Sequence, residues 1–136
     1  MDQIIEISRN GFLQGIIIRH TFQTAGIQFF TPGEFSQQLA YMHHPAGHEI
    51  QPHIHNHIER RVQYTQEVLL IRRGRLQVDF YDDNREFYRS EILGAGDLIL
   101  LAAGGHGFKV LEEVEMIEVK QGPYLGEMDK IRFERK

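Results

Sequence analysis

Apolar and polar residues alternate along most of the chain in short runs. The segments IIEIS, FLQGIIIRH and GIQFF are rich in β-branched and aromatic residues, which favours strands. QQLAYMHH follows the turn TPGEF. The second half adds EVLLIRR, RLQVDFY, EFYRSEIL, DLILLA, GFKVLEE and VEMIEVKQG. Gly, Pro, Asp and Asn separate these runs. In RLQVDFY, strict alternation puts Leu76, Val78 and Phe80 on one face and Gln77, Asp79 and Tyr81 on the other. YDDNRE then reads as a hairpin loop. HIERRVQYTQE is either a short helix or a long loop, and no longer stretch shows capped helical periodicity. Many short strands between regular turns predict an all-β sandwich or barrel.

With 136 residues, the chain is expected to form a single domain over 1–136. No linker, repeat or low-complexity segment breaks it. A net charge of −4 is unlike that of a general nucleic-acid binder. No apolar run reaches the length of a membrane span, and the start MDQIIEISRN lacks the features of a signal peptide. The absence of cysteine rules out disulfides and thiol chemistry and fits a cytoplasmic protein. Any metal site must then use nitrogen and oxygen donors.

Six of the eight histidines, His43, His44, His48, His53, His55 and His57, fall within one short region. In an extended segment, His53 and His55 point to the same face, and Pro52 before them favours that extension. Two such imidazoles can share one ion if other ligands join them. Glu67, at the head of EVLLIRRG, and His106, in AAGGHGF, are the candidates. Two or three histidines with one carboxylate suit a divalent metal ion such as Zn, Mn, Fe or Ni. His43, His44 and His48 read as solvated, as does His57. Arg60 and Arg61 read as surface charge, with phosphate contact as a minor alternative.

The spacing Gly47, His53-x-His55, Glu67, Gly74 resembles the first motif of the cupin superfamily. GAGDLILLAAGGHGF, with Gly96, Asp97, Gly104 and His106, resembles the second. Two departures stand out. Eleven residues separate His55 from Glu67, where cupins usually have three or four, and Ala102 takes the place of the turn proline. The shorter spacing would select Glu59, but the glycine that should follow seven residues later is Gln66. Glu67 is the preferred carboxylate, with residues 56–66 as an enlarged loop at the pocket mouth.

The resemblance implies a cupin-type double-stranded β-helix, a jelly-roll barrel with a metal held inside by His53, His55, Glu67 and His106. The tail MIEVKQGPYLGEMDKIRFE is similar to the end of the cupin domain in mannose-6-phosphate isomerase/mannose-1-phosphate guanylyltransferase proteins. That likeness implies a small-molecule ligand of the sugar or sugar-phosphate class and isomerase- or epimerase-like chemistry in carbohydrate or polysaccharide metabolism. An Fe(II) dioxygenase and a non-catalytic, metal-containing carbohydrate-binding cupin are the alternatives. The base such an enzyme needs stays open among His57, His48 and Lys120. The resemblance also implies a homodimer, with IIEIS and GIIIRH as strands that can pair across a two-fold axis. No nucleic-acid or membrane partner is expected.

Overall fold

The computed structural model describes residues 2–135. The chain is all-β: β1 (Ile4–Arg9), β2 (Phe12–Ile18), β3 (Gly26–Phe29), β4 (Ala40–His43), β5 (Glu67–Tyr81), β6 (Phe87–Gly94), β7 (Leu98–Leu101) and β8 (Gly105–Lys120), then a 3-10 turn at Gly126–Asp129. EVLLIRR and RLQVDFY are one strand, β5, because Gly74 carries the backbone through φ +93° where a break was expected. GFKVLEE and VEMIEVKQG are likewise joined in β8. HIERRVQYTQE is irregular chain with no helix up to Gln66, and its last residue, Glu67, opens β5.

The main sheet is antiparallel in the order β1-β2-β7-β5-β6, with β8 along the other edge of β5. β6 and β7 lie end to end on one edge of β5, β6 against Arg75–Tyr81 and β7 against Glu67–Leu70. β3 and β4 form a separate hairpin. Phe22 joins it through edge-on contacts to Phe30 and Tyr41. β2 pairs with β1 on one side and, over Gly15–Ile18, with β7 on the other, while β1 lies at the edge of the sheet.

The sheet curls into a half-barrel, and chain connectivity alone demands it. Leu101 pairs with Glu67 at one end of β5, while Gly105 pairs with Tyr81 at the other. Four residues reach at most about 14 Å, yet a straight strand from 67 to 81 would measure roughly 46 Å. The bend lies where the β5–β8 register shifts between Ile71 and Leu76. Extra residues at bulges twist a strand and reset which face each side chain takes. Leu69 and Ile71 point into the core before the bend, and Leu76, Val78 and Phe80 point into it afterwards. The inward parity changes from odd to even. Ile7, Ile17, Leu93, Ile99 and Leu101 complete that core.

Near its end β5 is covered on both faces. The alternation placed Asp79 and Tyr81 away from the core, yet both are buried. Tyr81 packs edge-on against Phe133 of the C-terminal tail.

Candidate functional site

Residues directly opposite in an antiparallel pair share a face. His106 stands opposite the inward Phe80, and Glu67 has the inward parity of Leu69 and Ile71. The curl therefore turns the two ends of one strand pair toward each other. Glu67 Oε1 lies 2.8 Å from His106 Nε2. An ionised carboxylate only accepts, so Nε2 carries the hydrogen and donates it. In the neutral ring, Nδ1 is then the atom free to take a proton.

The contact sits in a cleft of about 800 Å³. Its walls are the ends of β5 and β8, residues 63–65 just before β5, and the tail from Asp129 to Glu134. Gln66 is buried and fixes the entry to β5: its Oε1 accepts from the Gln37 amide at 2.9 Å, and its carbonyl accepts from the Gln121 amide at 2.9 Å. The tail is fastened across the opening. Asp129 accepts from the Thr65 hydroxyl and pairs with Lys120 Nζ at 2.9 Å. Arg132 pairs with Glu127 at 2.5 Å. Arg135 lies 4.0 Å from the centre of the Phe87 ring. Asp129 thus fastens the tail to the barrel, the Arg132–Glu127 pair stays within the tail, and Tyr124 is exposed.

The electrostatics follow from these neighbours. The hydrogen bond from His106 is the main reason the Glu67 carboxyl is held down at about 2, against burial that would raise it; Glu118 and Lys120 add to the lowering. The bond to Glu67, with burial and the Glu67 charge, pushes the Glu118 carboxyl above its ordinary value. Lys120 is pushed up by its bond to Asp129. Arg85 and Lys130 line the cleft with no ion pair among the described residues. The chain as a whole is acidic, yet this cleft offers two cations outside any ion pair among the described residues, Lys130 and Arg85, the latter lying over the Phe133 ring.

Of the four sequence-derived ligands, Glu67 and His106 meet. His53 and His55 do not join them. Both lie exposed in the irregular segment before β5, where His53 Nδ1 is 2.9 Å from the Gln51 carbonyl and its ring meets that of His55 edge-on. Glu59 is exposed in the same segment. Among the described residues, no three His, Asp or Glu side chains converge as a metal cage. Two donors that bond to each other fall short of the three or four that a protein-held divalent site uses, so this arrangement does not by itself fit the ion. Sequence reasoning missed Glu118, Arg85, Lys130 and Phe133. Glu118 was accessible in principle, because it lies two residues from Lys120 on one strand face; the others depend on how the tail folds back.

Gly104, of the second motif, has φ +75°, and a Cβ there would lie 2.3 Å from Gln14 Nε2. Its glycine sets the turn that delivers His106. Asp97 is buried. Its Oδ1 accepts from the His20 amide at 2.8 Å, and its Oδ2 from the Gly94 amide at 2.8 Å and Arg19 at 3.1 Å. Burial alone would raise this carboxyl; the Gly94 and His20 amides, with the His20 and Arg19 side chains, outweigh it and leave it below its ordinary value.

Comparison with family models, curated proteins and solved structures finds no match. Among the described residues, no helix is long and apolar enough to cross a membrane.

Proposed function

We propose that the cleft binds a small anionic molecule of the sugar-phosphate class and that His106, positioned by Glu67, moves a proton on it. The half-barrel is read here as a jelly-roll of the cupin type, on the two motifs that supply Glu67, Gly74, Asp97 and His106. The observation that carries the reading is the Glu67–His106 contact inside a cleft with unpaired cations. A carboxylate bonded to one ring nitrogen orients the imidazole and stabilises its protonated form. His106 Nδ1 takes a proton from the carbon beside a sugar carbonyl. It returns the proton to the former carbonyl carbon in an isomerisation, while the neighbouring hydroxyl gives up its proton and the former carbonyl oxygen takes one. Arg85 and Lys130 hold the phosphate. The tail and the Gln63–Thr65 stretch limit the access of water.

The test is deuterium wash-in from D2O, followed by NMR, across a panel of aldose and ketose phosphates. Exchange at the carbon beside the carbonyl is expected in the wild type. It should be lost in His106→Ala, slowed about 100-fold or more in Glu67→Gln, and retained when His53 and His55 are both changed to Ala. Tight binding with no exchange on any substrate would replace the enzyme with a binding protein. A metal-dependent form needs the segment before β5 to carry His53 and His55 to the cleft. Elemental analysis of tag-free protein decides that: one tightly held ion per chain, lost with either the histidine pair or Glu67, would establish the four-ligand set.

A further inference from the structure

A folded monomer of 15.9 kDa is expected to expose about 7,350 Å². This chain exposes 10050 Å², roughly 2,700 Å² more. Obligate dimers bury some 1,000–2,500 Å² per chain, so the surplus is of the size that a second copy removes. Part of the uncovered apolar surface lies along β8, and part between β4 and β5. Ile50, Ile54, Ile58 and Val62 are all exposed there, Ile54 at 90%, and the segment forms no strand within its own chain.

The pattern of that segment names its occupant. Ile50, Ile54, Ile58 and Val62 are all even positions, so an extended chain puts them on one face. Gln51, His53, His55, His57, Glu59 and Arg61 take the other. The sequence IQPHIHNHIERRV also mirrors itself in kind about Asn56 at every pair but Pro52–Arg60. Laid antiparallel on itself, it sets Ile54 opposite the partner's Ile58 and Ile50 opposite the partner's Val62. On the polar face, His53 meets the partner's Glu59. A self-complementary patch is what a two-fold interface requires.

Proline fits the same register. Pro52 and Asn56 occupy pairs of one kind, because pairs alternate along an antiparallel ladder. If the Asn56 pair is not hydrogen-bonded, neither is Pro52, and its missing N–H costs nothing. Such pairs bring side chains closest, which suits the isoleucine contacts. We propose that residues 50–62 form a two-stranded antiparallel ribbon with a second copy of this chain, with the two-fold axis at Asn56. The ribbon rests on this segment alone, independently of the chemistry assigned to the cleft.

The chain has no cysteine, so one introduced thiol reports on one position. On the axis, two copies of residue 56 have Cα atoms about 4.5 Å apart, within disulfide range. Two copies of residue 53 are about 20 Å apart in this register. Asn56→Cys is expected to oxidise to a linked dimer in a glutathione buffer, and His53→Cys, also exposed, to stay unlinked. Light scattering should give twice the chain mass for the wild type and a single-chain mass for Ile54→Asp with Ile58→Asp. The same two positions changed to Lys should also give a monomer, and mixing the Lys and Asp chains should restore the dimer. A monomeric wild type, equal linking at 53 and 56, or a dimer indifferent to these charges would each overturn the proposal.

Discussion

Gly74→Ala tests whether the bend in β5 is what brings the site together. An added Cβ would lie 2.0 Å from the Glu113 carbonyl oxygen and 2.8 Å from both Glu113 C and Val114 Cα. These are backbone atoms of the neighbouring strand, so no flexible side chain can swing aside. The backbone angle, φ +93°, is itself one that alanine adopts at a cost. Such strain costs about 1–3 kcal/mol, and forcing two packed strands apart about 1–3 kcal/mol more. The sum, roughly 2–6 kcal/mol, is a large share of the 5–15 kcal/mol typical of a domain. For a chain of this size it corresponds to a fall in Tm of at least about 6 °C. Gly47→Ala is the control, because Gly47 also has positive φ, +88°, but nothing lies within 4 Å of a Cβ there. It pays the backbone strain without the clash. Thermal and urea unfolding of both variants give the comparison. Equal losses at 74 and 47 would refute the argument, since the close approach of Glu113 would then carry no weight.

Asp97→Asn keeps the shape but removes one acceptor oxygen from a side chain that receives three or more donors; a loss of about 2–4 kcal/mol is expected by urea unfolding, and no loss would mean that solvent replaces those bonds. Glu67 has its folded value near 2 against an ordinary 4.5. A depressed carboxyl stabilises the fold above its unfolded value and loses that contribution as pH falls through the folded one. Wild type is therefore expected to lose stability between about pH 4.5 and 2 more steeply than Glu67→Gln; superimposable curves would remove the ion pair from the account.

The alternation of apolar residues was enough to find nearly every strand, because each has at least one dry face. It did not show that RLQVDFY would be buried on both faces at Asp79 and Tyr81, since the covering layer is the tail, distant in sequence. The junction at Gly74 was equally hidden. A glycine between two apolar runs reads as a turn, and only the register of β8 shows that the chain continues. Glu67 and His106 were legible from motif spacing. The resemblance also implied that they share one site; that they bond directly to each other was not legible, for it depends on the curl of a strand pair, which no local pattern encodes. Placement of His53 and His55 by period-2 spacing assumed a strand with a sheet to join, and within one chain the segment has none.

The irregular points around the middle of β5 fall on one line. Ile71 donates to the Asp97 carbonyl at 3.0 Å and accepts from the Gly96 amide at 2.7 Å, so the step between β6 and β7 stands beside the start of the β5 bend. Across β5, the register with β8 shifts at the same level, from Arg73↔Glu115 to Arg75↔Glu112. A strand hydrogen-bonded on both edges bends only if its neighbours bend with it. Gly74 supplies the bend in β5. Gly96, with φ +86°, supplies it beside β7, and Asp97 holds that step by gathering the Gly94 and His20 amides. The residues of the two motifs thus divide by role. Gly74, Gly96 and Asp97 make the half-barrel curl, and Glu67 and His106 are what the curl brings together. Losing Asp97 or Gly74 should therefore weaken the fold and the site in step, whereas losing His106 should remove the chemistry and leave the fold standing.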